Sequence, residues 1–194
     1  NISNTIQINN TANLQDIVPA VIDSIELAGD NSIVQVFFNE AVFSKNDGSG
    51  ALDSADFVYT LTGGSATLAK KYPSSVTGSG TKTLSLGVLL SGKPNGKEIL
   101  TVTPASKAIY DKPGNVTSTS QPKNKASLND QFVPQYTASA LSPDNSVIAV
   151  TFNEPVFAKS DATGKIDTSD FVFAVTGGSA KLLKAYPNSI EQTG

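Results

Sequence analysis

The chain has 194 residues, of which 39% are hydrophobic and 16% charged, and its net charge is −3. It contains no Cys, Met, Trp or His, which excludes disulfide staples, thiol redox chemistry, Ser-His-Asp or Cys-His catalysis, and zinc sites built on imidazole or thiolate. The weak acidic balance, without basic runs, argues against nucleic acid as a partner, and the apolar runs are too short to cross a bilayer.

The first strong pattern is Ser32–Phe38, which alternates. Val34, Val36 and Phe38 share one face, and Ile33, Gln35 and Phe37 share the other. Asp30-Asn31 precedes it and suits a tight turn. Asp53-Ser54-Ala55-Asp56 predicts one helical turn with Asp53 as N-cap. Phe57–Leu61 reads as a strand with Phe57, Tyr59 and Leu61 on one side, and Gly63-Gly64 then allows a turn with positive φ. Tyr72-Pro73 terminates an edge strand or, alternatively, offers a carbohydrate-stacking surface. Thr83–Val88 and Ile99–Thr103 flank Ser91–Gly96 and read as two antiparallel strands joined by a loop. Tyr110 is placed to hydrogen-bond across a strand corner. About seven short strands with almost no helix predict an all-β chain of immunoglobulin-like β-sandwiches.

The chain also repeats itself. Val36-Phe37-Phe38-Asn39-Glu40-Ala41-Val42-Phe43 returns as Val150-Thr151-Phe152-Asn153-Glu154-Pro155-Val156-Phe157, an offset of 153 − 39 = 114 residues. The offset holds through Asp56-Phe57-Val58 and Asp170-Phe171-Val172, and through Thr62–Ala66 and Thr176–Ala180. Ala12–Asp16 matches Ala126–Asp130 in the same register. Residues 1–16 therefore read as the tail of a preceding repeat, 17–130 as a complete repeat, and 131–194 as an incomplete one. A window on a longer tandem array is the simpler expectation. A subunit whose open domain is completed by a neighbour's strand is the alternative.

Several of these strings resemble bacterial Ig-like tandem repeats. The residues that carry the resemblance are Val36–Phe43, Ala55-Asp56-Phe57, Gly63-Gly64, Pro94–Val102 and Ala108–Asn115. Such repeats occur in very large surface adhesins and S-layer-associated proteins. The resemblance implies an extracellular, cell-surface, mostly structural module, in some families with calcium at the domain junctions.

The acidic residues fall mostly in turns beside Gly, Asn and Ser, where a carboxylate is an ordinary turn former, so no enzymatic activity is expected. Calcium is the candidate cofactor, because it takes several oxygens from carboxylates and amide side chains. In a sandwich, the incoming linker, the end of the second strand and the last-strand loop meet at one pole. Asp16, Glu40 and Asp111 occupy those positions, and Asn129, Asp130 and Glu154 are the corresponding residues at the next junction. The competing expectation is that Glu40 accepts backbone N–H bonds and the Asp residues shape turns. The expected role is an extender in an adhesin, surface fibre or S-layer-like assembly, with neighbouring repeats or subunits of the same protein as partners. The alternatives are a module binding a glycan or cell-surface receptor, and a filament subunit that exchanges strands.

Overall fold

The computed structural model describes residues 12–193; most of the expected repeat tail, residues 1–11, lies outside the described residues. The chain divides into two compact units, the first ending at Phe132 and the second beginning at Val133.

In the first unit β1 (Ile22–Leu27) and β2 (Ile33–Phe38) form an antiparallel hairpin. Its turn needs one residue in the left-handed region, and Asn31 takes φ 60° there, as short amide side chains tolerate. One turn of 3-10 helix follows at Ser54–Asp56, and then β3 (Phe57–Thr62). The short strands β4 (Thr67–Leu68) and β5 (Val76–Thr77) precede β6 (Thr83–Gly87), β7 (Leu90–Ser91), β8 (Ile99–Pro104) and β9 (Lys125–Ser127). One sheet runs β1-β2-β6-β5, a second runs β3-β8-β9, and β4 pairs with β7; every pairing is antiparallel.

The period-2 pattern decides which side of each sheet is apolar. Val34, Val36 and Leu84 of the first sheet and Phe57, Leu100 and Val102 of the second are fully excluded from solvent and belong to one core. Ile33, on the opposite face of β2, is 41% exposed. Each buried aliphatic or aromatic side chain contributes about 1.5–3 kcal/mol of transfer free energy, which makes this shared layer the main source of stability. Tyr59 lies within the same layer and donates its hydroxyl to the Gly87 carbonyl at 3.3 Å. Tyr110 makes the expected corner bond, donating to the Lys107 carbonyl at 3.0 Å.

One expectation fails. Thr83–Val88 and Ile99–Thr103 are not partners in a hairpin. β6 pairs with β2 and β5, whereas β8 pairs with β3 and β9, so the chain between them crosses from one sheet to the other. β6 buries Leu84 and Leu86 and β8 buries Leu100 and Val102, and each pairs along its whole length with a strand of its own sheet, β2 and β3 respectively. Proximity in sequence loses to that pairing.

In the second unit β10 (Tyr136–Leu141) and β11 (Ile148–Phe152) repeat the first hairpin, down to the register and the irregularity after its first pair. Asn145 repeats the φ of 60°. A 3-10 turn returns at Thr168–Asp170. The Tyr59 N–H bond to the Lys71 carbonyl returns as Phe173 to Ala185. The sequence repeat is thus a repeat of structure. Residues 171–176, the copy of β3, form no ladder, however. A strand exists through its partner, and β8 has no counterpart among the described residues.

Candidate functional site

Where the chain enters the first unit, three segments are bound together. Asn39, immediately after β2, accepts the Val21 N–H on its side-chain oxygen at 2.8 Å and donates its own N–H to the Val21 carbonyl at 3.0 Å. Phe43 and Tyr110 exchange two backbone bonds of 2.7 and 2.8 Å, which hold the last-strand loop against the segment after β2. That loop, Asp111–Asn115, closes on Asp111. Its buried carboxylate accepts the N–H groups of Gly114 and Asn115 at 2.8 and 2.7 Å, and the Asn115 amide at 2.8 Å. Gly114 sits at φ 98°, and a Cβ there would strike the Asn46 backbone, so only glycine suits the turn. The Asn115 amide also donates to the Asp16 carbonyl at 3.1 Å, tying the incoming linker to the same loop.

Asp16, Glu40 and Asp111 are therefore drawn into one neighbourhood, although they are far apart in sequence. Partial burial, followed by the fields of Asp111 and Asp16, holds the Glu40 carboxyl above the usual glutamate range, and Lys82 offsets this only in part. The three interact as charges. Among the described residues no three acidic side chains stand close enough to share a metal ion. Asp111 already has three N–H partners, and the Asp16 carboxylate accepts the Val18 N–H at 2.9 Å.

The residues assigned to the next junction belong to different units. Asn129 is engaged within the first: it donates N–H to the Asn31 side chain at 2.8 Å and its amide to the Ala28 carbonyl at 3.0 Å. The Asp130 carboxylate accepts the Phe132 N–H at 2.8 Å. Glu154, in the second unit, has one buried carboxylate oxygen without a hydrogen-bond partner among the described residues.

Two features of the first unit escaped sequence reasoning. The clamp residues Asn39 and Asn115 are ordinary polar residues in loops, although the recurrence of Phe-Asn-Glu in both copies marked Asn39. The other is Glu98, whose side chain has no solvent exposure. Its Oε1 accepts the N–H groups of Ser65 and Ala66 at 2.6 and 2.9 Å, and its Oε2 accepts that of Asn95 at 3.0 Å. Burial alone would raise its pKa, but the N–H bonds from Ala66, its own backbone, Ser65 and Asn95 together lower it. Gly63-Gly64, at φ 79° and 62°, allows those N–H groups to turn inward, and a Cβ on Gly64 would overlap the carboxylate. A glutamate after a Pro-Asn-Gly-Lys turn gave no sign in sequence that it would be buried.

A shallow depression of about 440 Å³ in the second unit is lined by Lys165, Ile166, Ile190, Glu191 and Gln192, with a single acid among them. Comparison with protein-family models, curated proteins and solved structures found no match.

Proposed function

We propose that the chain is a non-catalytic extender, a stretch of an extracellular tandem array of immunoglobulin-like modules in a surface adhesin, fibre or S-layer-like assembly. The observation that carries this proposal is the clamp on the incoming chain. Asn39 holds Val21 through two hydrogen bonds, and Asn115 holds the Asp16 carbonyl. The clamp recurs in the second unit, where the Asn153 side chain accepts the Gln135 N–H at 2.6 Å. A linker meant to swivel leaves its backbone to water, whereas this one is bonded just before the first strand of each copy. Each bond contributes about 1 kcal/mol, so the restraint comes from several acting over a few residues.

Small-angle scattering on tandem polymers of the 114-residue repeat tests this. Maximum dimension should grow in proportion to repeat number. Growth with the square root of repeat number, as for a flexible chain, would reject the extender role.

Calcium enters the proposal through Glu40. A divalent cation near its carboxyl would relieve the repulsion from Asp111 and Asp16. Calorimetry should then show a first-unit melting temperature that rises with calcium, with the rise lost in Glu40→Gln. Scans that superimpose in calcium and in chelator would remove calcium from the account.

A further inference from the structure

We propose that the first unit transmits tension from its entry to its exit through a side-chain staple, which joins the β1–β2 turn to the segment leaving β9. The proposal rests on the array reading, in which a module is pulled by the chain on either side of it.

β1 and β9 are edge strands of different sheets, in the orders β1-β2-β6-β5 and β3-β8-β9, and among the described residues no backbone ladder joins them. Side chains join them instead. At the start of β1 the Ile22 N–H donates to the Gln121 side-chain oxygen at 2.7 Å. In the turn beyond its end, the Asn31 amide donates to the Asn129 carbonyl and its oxygen accepts the Asn129 N–H, both at 2.8 Å. The Asn129 amide donates to the Ala28 carbonyl at 3.0 Å, and the Gln131 amide to the Gly29 carbonyl at 2.9 Å. Asn31 is 1% exposed, so water competes poorly for its bonds. The exit segment is held on its other side by the Leu128 and Gln131 N–H groups, which donate to the Glu98 and Pro94 carbonyls, both at 2.9 Å.

Gln121 thus lies by the start of β1 and Asn129 by its end. The first and last segments of the module run side by side in the same direction. The chain enters ahead of Ile22 and leaves beyond Gln131, at opposite ends of that pair. Tension on the two ends therefore slides one segment along the other. Sliding strains the bonds of the staple together, whereas peeling would break them one at a time. The staple is also the short route for the force, since it links the end of β1 to the exit without passing through β3, β6 or β8.

The test is unfolding of the full chain at constant force. The chain contains no cysteine, so two introduced ones are unique handles. Ile17→Cys and Val133→Cys, at exposed positions on either side of the first unit, pull along the proposed path. Lys70→Cys and Ser106→Cys, also exposed, pull on the segments that follow β4 and β8. Asn31→Gly removes the amide while glycine suits the φ of 60° there, so the turn is retained. With the first pair of handles, Asn31→Gly should unfold at least about tenfold faster at the same force, because it lacks hydrogen bonds that break at the barrier. With the second pair the rate should change by less than about threefold, because a contact still intact at the barrier does not affect the rate of unfolding. Gln131→Ala lies beyond the last strand and leaves the turn untouched, and it should repeat the contrast with a smaller acceleration. An unchanged rate with the first pair would overturn the proposal and route the force through β8. Equal acceleration with both pairs would also overturn it, reducing the staple to an ordinary stabilising contact. Scattering reads how successive repeats are joined, and unfolding under force reads a barrier inside one of them, so the extender role and the staple can each fail alone.

Discussion

Removing a carboxylate from water costs several kcal/mol unless fixed donors replace the water it loses. Glu98 meets that condition with N–H groups from Ser65, Ala66 and Asn95, so the cost of altering it is set by what its donors are left facing. Glu98→Ala should destabilise the first unit by about 3 kcal/mol, because it leaves those N–H groups buried and unpaired. Glu98→Gln keeps an acceptor and should cost about 1–2 kcal/mol. The pH dependence follows from the direction of the shift. A carboxyl whose folded pKa lies below its unfolded value adds stability that is fully present above the unfolded value, about 4.3 for glutamate. That stability is lost as pH falls through the lowered folded value. Urea melts of wild type and Glu98→Gln should therefore differ at pH 7 and converge in acid. A difference that is constant between pH 7 and pH 2 would mean that the carboxylate charge is not what holds the loop.

At the level of elements, what was legible depended on how far the information reached along the chain. The alternation of Val34, Val36 and Phe38 named the buried face of β2 correctly, because a strand's two faces are set by neighbouring residues alone. The cap was legible for the same reason. The Asp53 carboxylate accepts the Ala55 N–H at 2.7 Å, and Asp56 reaches back to the Asp53 N–H at 2.8 Å. Asp167 and Asp170 repeat the box. Asp53→Ala should lower first-unit stability by about 1 kcal/mol in denaturant titration, and an unchanged midpoint would show that packing of Phe57 alone places the turn. Partnership was not legible. β6 and β8 have equally good strand patterns, and nothing local states that they belong to different sheets. The carboxylate neighbourhood was half legible. Topology brought Asp16, Glu40 and Asp111 together as reasoned, but the asparagines that bind those segments carry no charge pattern or spacing to announce them. The copy of β3 shows the limit most plainly. Phe57–Thr62 and residues 171–176 have near-identical patterns, yet only the one with β8 beside it forms a ladder.

For the whole molecule, two copies of one design differ in how much of each apolar layer is covered. Among the described residues, Val34 and Val36 are fully buried, whereas their counterparts Ile148 and Val150 are 44% exposed and half-buried, respectively. A two-stranded hairpin without a covered face is marginal in water. Hydrogen exchange on the chain alone should therefore separate the two halves. Amides of Val34–Phe38 should exchange only through global opening of the first unit, while those of Ile148–Phe152 should exchange orders of magnitude faster. Equal protection in both would mean that the second hairpin finds its stability in its own turn and cross-strand pairs, such as the edge-to-face contact of Tyr136 with Phe152 at 6.3 Å.

The bond between Asn31 and Asn129 joins positions 98 residues apart, and the Gln121 side chain accepts the Ile22 N–H from 99 residues away. The first strand of the module is thus fastened by some of its last residues. On a ribosome, or in an export channel that releases the chain from its amino end, the early hairpin must wait for nearly the whole module to emerge. During that wait it faces the hairpin of the neighbouring copy, which pairs in the same register. Production of such a chain then hinges on timing: each module has to find its own closing segment before the next copy offers a rival.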